Sequence, residues 1–332
     1  PKHSGNDAPR FLVKASTTDT VYFVSKFGKA AAVAAHLIPE ASKLSQGVPW
    51  HRVSPLSDND ALAAVFALPA SKSALGEEVC VLTATRFGMI KKSLVTELPG
   101  PSSQTFVLVK VNEGDKLNSV GITDGKKDIL LVTASGMAIR FKEEDVRPMG
   151  LVAAGVNGMK LEDKDEVVGM EILPADGDIF LLTNEGKAKR VDQKDFPVQG
   201  RYGKGVVAWD MPGKSTLAAV ASGKPNHVAT VHMSKGAPKS TRLDAAGLRK
   251  RAAGKGDVVI EVKPGESITS IAVGWALESY VKVAKAEEPK SKKEGKPKAA
   301  KAPAKKTAKP VAKAKGKPAK KAPAKAKPKK KK

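Results

Sequence analysis

The chain has 332 residues with 58 Lys and Arg against 34 Asp and Glu, a formal net charge of +24, and the excess sits at one end: residues 282–332 hold 22 Lys and three Glu. Residues 1–281, with 36 basic and 31 acidic residues, therefore carry an ordinary mixed surface, on which only local basic patches meet a polyanion. A single cysteine, Cys80, excludes an internal disulfide framework and a cysteine-ligated zinc site, and no stretch reaches the roughly 20 apolar residues of a membrane helix.

From its first residue, Pro1, the chain shows neither an initiator Met nor a signal-type apolar region, so it is expected to be a piece of a longer, soluble, cytoplasmic protein. The first element is the apolar run 20–24, which ends in the turn SKFGK around Gly28 and leads to Lys29. A longer loop over 33–55 and a linker-like stretch, LPASKSALGE over 68–77, separate it from the next run, 79–83, whose turn TRFGMIKK places Lys91 and Lys92 after Gly88. The run 129–133 meets ASGMAIRF around Gly136, with Arg140, Lys142 and, further on, Arg147. The run 179–183 meets NEGKAKRV around Gly186, with Lys187, Lys189 and Arg190; the run 228–231 meets SKGAPKS around Gly236, with Lys239 and Arg242.

The five turn glycines are 60, 48, 50 and 50 residues apart, a period that identifies a repeat architecture. Each run is short, rich in Val, Ile, Leu and Thr and bounded by turn residues, which predicts a buried strand. The glycine supplies a positive φ at the hairpin turn and a return strand follows, of which MAIRF is the clearest. Each repeat then passes through a second Gly-containing loop, such as GLVAAGVNGMKL or VQGRYGKGVVAW, to a closing strand at 166–173, 216–222 or 267–274. Four strands per repeat of about 50 residues predict an all-β, propeller-like disk of about five to six four-stranded blades. The repeats span about 11–67, 76–122, 126–173, 177–222 and 226–274 of a domain 1–281. Residues 282–332, built from Lys, Ala and Pro, are predicted to form a disordered tail that binds DNA by charge alone.

The third repeat carries a resemblance. ILLVTASGMAIRFKEEDVRPMG followed by AAGVNGMKLEDKDEVVGM, residues 129–170, closely resembles the C-terminal domain of the DNA gyrase A subunit, and the topoisomerase IV A subunit is a close relative. TTDTVYFVSKFGK with IPEAS resembles the first repeat after that family's defining box, and FLLTNEGKAKRV with PVQGRYGKG a later one. The resemblance implies a β-pinwheel of six blades that exchange strands between neighbours, with duplex DNA wrapped on a basic perimeter. It also implies two protein partners at the chromosome, the rest of the gyrase A subunit together with the ATPase B subunit, and it places the use of ATP and Mg only there. The family's heptapeptide Gln-Arg-Arg-Gly-Gly-Lys-Gly is absent upstream of the first repeat. Its best echo is Gln199, Gly200, Arg201, Tyr202, Gly203, Lys204 and Gly205, which agrees at five of seven positions; a weaker one contains Arg249, Lys250, Arg251 and Lys255. The family's tails are commonly acidic or mixed, whereas this one is basic.

Wrapping needs phosphate contacts at regular intervals and no base reading, so Lys and Arg on strand ends and loops suffice. The candidates are the basic residues named above, taken to face outward in register behind each turn glycine. In the 199–205 loop the glycines admit backbone N–H groups to phosphate, with Arg201 and Lys204 supplying charge. No enzymatic constellation accompanies them. The histidines His3, His36, His51, His227 and His232 have no ligand spacing, and the acidic clusters 143–145 and 162–166 read as exposed turns. The tyrosines Tyr22, Tyr202 and Tyr280 lack a breakage–reunion setting, no GxxxxGK[ST] run exists, and Trp50, Trp209 and Trp275 read as packing residues. The expectation is a non-catalytic chain with no metal, no cofactor of its own and no membrane partner. The competing reading is a free-standing propeller-like interaction or chromatin-architectural module whose tail alone touches nucleic acid.

Overall fold

Each of the five apolar runs forms the first strand of a blade, and the unbroken apolarity of the central ones has a packing cause. The computed structural model describes residues 10–43, 46–211 and 213–273; the tail, Trp275 and Tyr280 lie outside them. Blade 1 is built on β1 (Thr20–Ser25), β2 (Lys29–Ala34) and β3 (Leu62–Leu68), and the second repeat contributes β4 (Cys80–Thr85), β5 (Met89–Leu94), β6 (Phe106–Val107) and β7 (Leu117–Thr123). The third contributes β8 (Asp128–Thr133), β9 (Met137–Lys142), β10 (Val156–Asn157) and β11 (Val167–Ile172). The fourth contributes β12 (Asp178–Thr183), β13 (Lys187–Asp192), β14 (Val206–Val207) and β15 (Leu217–Gly223), and the fifth β16 (Val228–Met233), β17 (Lys239–Arg242), β18 (Asp257–Val258) and β19 (Ile268–Val273).

Strand pairing crosses the repeats. The sheets run β3-β1-β2-β6, β10-β5-β4-β7, β11-β8-β9-β14, β15-β12-β13-β18 and β17-β16-β19, all pairs antiparallel. Each repeat after the first thus donates a two-residue strand to the outer edge of the blade before it, which is the exchanged-strand β-pinwheel. The fifth blade has three strands among the described residues. The inner strands β3, β7, β11, β15 and β19 pack in succession along the centre. Close approach there requires small side chains: a Cβ on Gly121 would lie 2.6 Å from Ile172 Cδ1, and one on Gly169 2.4 Å from Val220 Cγ1.

The cores lie between blades. Successive side chains of a strand point to opposite faces, and in β8 Ile129 and Leu131 pack toward blade 2 while Leu130 and Val132 pack toward blade 4. β12 divides in the same way, Ile179 and Leu181 toward blade 3, Phe180 and Leu182 toward blade 5. A strand covered on both faces needs no polar alternation, so it reads as a continuous apolar run. On the free face of blade 1, Phe11, Ile38 and, from the one α-helix among the described residues, α1 (Trp50–Val53), Trp50 and Val53 cover Val21 and Phe23. The stretch 33–55, expected as loop, thereby caps an end blade, and 68–77 contains a 3-10 turn at Lys72–Leu75.

Candidate nucleic-acid interface

The return strands β5, β9 and β13 were expected to present their cations outward. The donated strands make them interior strands, and their cations Lys91 and Lys92, Arg140, and Lys189 and Arg190, three or four residues after the turn glycine, point into the seams. Lys91 is 1% exposed, its Nζ donating to the carbonyls of Leu108 and Leu151 at 2.7 Å each. Lys189, fully buried, donates to Arg251 O and Ala253 O at 2.7 Å and stands 4.8 Å from the Trp209 ring centroid. Burial lowers the pKa of both ammonium groups to about 8, and for Lys189 the nearby Arg249 and Arg251 add to the effect.

The next position forms a latch to the following blade. Lys92 is buried 3.5 Å from Glu143 Oε1 and donates to Glu143 O at 3.2 Å. Arg140 donates to Asp128 Oδ2 from Nε at 2.8 Å and Nη2 at 2.6 Å, and to Gln193 O at 2.8 Å. Arg190 repeats this with Asp178 Oδ2 at 2.6 Å and Ala246 O at 2.8 Å. Lys92 and Arg140 reach the 3-10 turns that end the next hairpin, Glu143–Asp145 and Gln193–Asp195, and Arg190 reaches Ala246, the residue that follows the turn Leu243–Ala245. Lys91, Lys92, Arg140, Lys189 and Arg190 are therefore corrected from rim contacts to internal ties. Glu143 is corrected too: Glu144 and Asp145 of this turn are exposed as expected, but the Glu143 side chain is buried and accepts from Thr123 Oγ1 at 2.5 Å.

The remaining candidates stay accessible. Lys29, Lys142, Arg147, Arg201, Lys204, Arg242, Lys250 and Lys255 are exposed, and Lys187, Lys239, Arg249 and Arg251 half-buried. Several are engaged with carboxylates: Lys204 with Glu162 at 2.6 Å, Lys187 with Glu185 at 2.9 Å, Lys142 with Asp128 at 3.8 Å, Lys239 with Glu266 at 3.8 Å, Lys250 with Asp195 at 3.7 Å, Arg249 with Asp257 at 2.5 Å, and Arg242 with Asp244. Among the described residues no carboxylate lies within ion-pair distance of Lys29, Arg147 or Lys255.

The loops that carry the donated strands join into one perimeter band. Lys110 N donates to Ala153 O, Lys160 N to Gly203 O and Tyr202 N to Gly158 O, at 3.1, 3.0 and 2.7 Å. Arg201 donates to Asp145 O at 3.1 Å and Asn157 O at 2.9 Å, Arg251 to Val207 O, and Trp209 Nε1 to Gly254 O at 3.0 Å. The band is anchored at the turn glycines, whose carbonyls accept from Leu108, Gly158, Ala208 and Val259. At Gly186, φ is +80° and a Cβ would stand 1.9 Å from Ile260 O, so glycine is needed both for the turn and for the strand that docks on it. Gly236 shares the φ of +80°, but there an added Cβ would meet nothing nearer than Glu266 Oε1 at 3.3 Å.

Two exposed cations of this band, Lys110 and Lys160, were missed in the sequence. Each stands three residues past the last residue of a donated strand, Val107 or Asn157; the same offset after Val207 and Val258 gives Asp210 and Glu261, so charge after the turn glycine alone did not reveal it. A concavity of about 590 Å³ between Phe87 and Tyr202 is lined mostly by the 157–166 segment, where the carboxylates of Glu162, Asp163, Asp165 and Glu166 stand beside the cations of Arg86, Lys160 and Lys164. Among the described residues no three His, Cys, Asp or Glu side chains are placed to hold a metal, and no helix is long and apolar enough to cross a membrane.

Residues 81–124, 127–174 and 177–222 match the family described as DNA gyrase C-terminal domain, beta-propeller, the second, third and fourth repeats of the chain. The DNA gyrase A subunit of Klebsiella oxytoca is 34% identical over 212 residues, 61% of this chain and 24% of the relative. That of Escherichia coli K12 is 32% identical over 197 residues, 59% and 22% respectively. The chain thus spans about a quarter of the length of the curated relatives it matches. Among solved structures, the C-terminal domain of DNA topoisomerase IV superposes with a TM-score of 0.71 at 21% identity, covering 81% of this chain and 83% of that one. The DNA gyrase A C-terminal domain gives 0.64 at 19%, covering 79% and 84%. These structures share the fold, and they extend it over the first and fifth blades that the family match leaves out.

Proposed function

We propose, from the match of its three central repeats to the DNA gyrase C-terminal-domain family, that this chain binds duplex DNA without sequence preference and wraps it around the blade perimeter. It would do so as a non-catalytic part of a type IIA topoisomerase that controls supercoiling at the chromosome in the cytoplasm. The observation that carries this reading is the perimeter band itself. After the seam cations are set aside, Lys110, Arg147, Lys160, Arg201, Lys204, Lys250 and Lys255 remain exposed on loops tied to one another from blade to blade. A duplex laid along such a band exchanges condensed counterions for fixed Lys and Arg at each of the four blades that receive a donated strand, so affinity comes from phosphate contacts and direction from the curvature of the band. DNA breakage and rejoining are assigned to the remainder of the gyrase A polypeptide, and ATP hydrolysis with its Mg to the ATPase polypeptide, gyrase B; this chain would meet both as partners.

The test separates the perimeter from the lysine-rich tail. In the full chain, Arg147→Glu, Lys160→Glu, Lys250→Glu and Lys255→Glu are combined, and wrapping is read from the linking-number change on ligating nicked circles. The expected result is loss of the linking change with residual, tail-driven binding. Unchanged wrapping, or no wrapping by the wild-type chain, sinks the perimeter reading and leaves binding by the tail alone.

A further inference from the structure

Tyr202 stands out on the perimeter band. Its φ is +65°, and among the described non-glycine residues only Lys164 shares a positive φ. A bulky side chain in the left-handed region is disfavoured, because its Cβ crowds the backbone carbonyl. The conformation is imposed from both sides. Tyr202 N donates to Gly158 O at 2.7 Å, Gly203 O accepts from Lys160 N at 3.0 Å, and the preceding Arg201 is pinned on Asp145 O and Asn157 O. The residue as a whole stays 50% exposed. Strain kept at a side chain that buries little points to a use for its exposed face.

The same place recurs along the band. Val152, two residues after Gly150 as Tyr202 is after Gly200, is 70% exposed, and the following loop carries Ala252 there. Each of these three perimeter loops therefore places an apolar side chain at this position, largest at Tyr202, beside other exposed apolar residues such as Val198 and Leu248. Phosphates gain nothing from an apolar neighbour. The sugar edges and base steps of a minor groove do, and apolar groups pressed between base steps unstack them and bend the duplex.

Resting on the DNA-wrapping reading, we propose that Tyr202 is a wedge that kinks duplex DNA where it crosses the third and fourth repeats, acting on the minor groove at a deformable step. Kinking is easiest at pyrimidine–purine steps, so the wedge gives a wrapping surface a preference for where flexible steps sit, without reading bases.

The full chain is compared with Tyr202→Gly, which keeps every cation and suits the left-handed backbone, and with Tyr202→Phe, which keeps the apolar ring. End-labelled duplexes with a central TA step or a central A-tract report bending by energy transfer, and 2-aminopurine at the central step reports unstacking. Wild type and Tyr202→Phe are expected to bend the TA duplex, brighten 2-aminopurine and favour TA over A-tract about fivefold. Tyr202→Gly is expected to lose the brightening and the preference while its affinity keeps the same salt dependence. If Tyr202→Gly bends, brightens and discriminates like wild type, the wedge is refuted and wrapping stands. If wild type itself bends neither duplex, the wrapping reading has failed and the wedge with it.

Discussion

Replacing Arg140 by Met separates an internal tie from a DNA contact. The guanidinium makes two bonds to Asp128 Oδ2, at 2.6 and 2.8 Å, and one to Gln193 O at 2.8 Å on the next blade. Its side chain is 18% exposed and that of Asp128 17%, so solvent screens the pair only partly. Hydrogen bonds to charged groups contribute about 1.5–3 kcal/mol, and breaking a buried pair costs about 3–5 kcal/mol because the partner charge is left behind. Part of that cost is relieved as water reaches Asp128, and Met refills most of the volume, which puts the loss at about 2–4 kcal/mol. Urea unfolding should show a lower midpoint with an unchanged slope, and Asp128→Asn combined with Arg140→Met should lose less than the sum of the single changes. Binding to duplex DNA over a salt series should keep its slope, because no phosphate contact is removed. A midpoint shift worth less than about 0.5 kcal/mol, together with a salt slope reduced by about 0.9, would refute the assignment of Arg140 to the seam and restore it to the perimeter.

Gly186→Ala, which forces a positive φ and a 1.9 Å approach to Ile260 O, is expected to destabilise by more than about 3 kcal/mol, whereas Gly236→Ala, strained but uncrowded, should cost about 1–2 kcal/mol; urea midpoints compare the two. Lys189 has a folded pKa of about 8, below its ordinary 10.5, so between those values the unfolded chain holds more protons and stability rises with pH. Relative to Lys189→Met, the wild-type chain should therefore gain stability from pH 8 to 10, by about 1–3 kcal/mol, and a flat difference would show that the ammonium is not desolvated. Burial pushes the Cys80 thiol up to about 11, so a thiol reagent at pH 8 should label it only on unfolding; fast labelling of the native chain would contradict its place in β4.

The first strands were legible because their packing is recorded twice in the sequence. Ile129 to Val132 are apolar on consecutive positions, and only a strand buried on both faces demands that. The turn glycines were legible for the same kind of reason, since a positive φ leaves few alternatives to Gly28 or Gly186. The donated strands were not. Val156–Asn157 and Val206–Val207 are two residues long, and in the sequence they pass for the middle of a glycine-rich loop. Their partners, Ile90 and Met89 or Ala138 and Met137, lie more than 60 residues back along the chain.

That one hidden pairing decides the fate of the cations. Charge, repeat period, strand identity and turn chemistry are local properties, so residues 1–281 state by themselves that they form a repeated β structure with basic residues in register. Which way those residues point depends on what covers each face of the return strand, and that is set by a strand and a loop from the next repeat. Burying Lys91 or Lys189 becomes tolerable only when that loop brings carbonyls to the ammonium, and Arg140 and Arg190 turn inward because an acidic partner and the next blade's 3-10 turn meet them there. The register of basic residues behind the turn glycines was visible in the sequence; only the tertiary structure decided that part of it ties blade to blade while the perimeter loops keep the exposed charge.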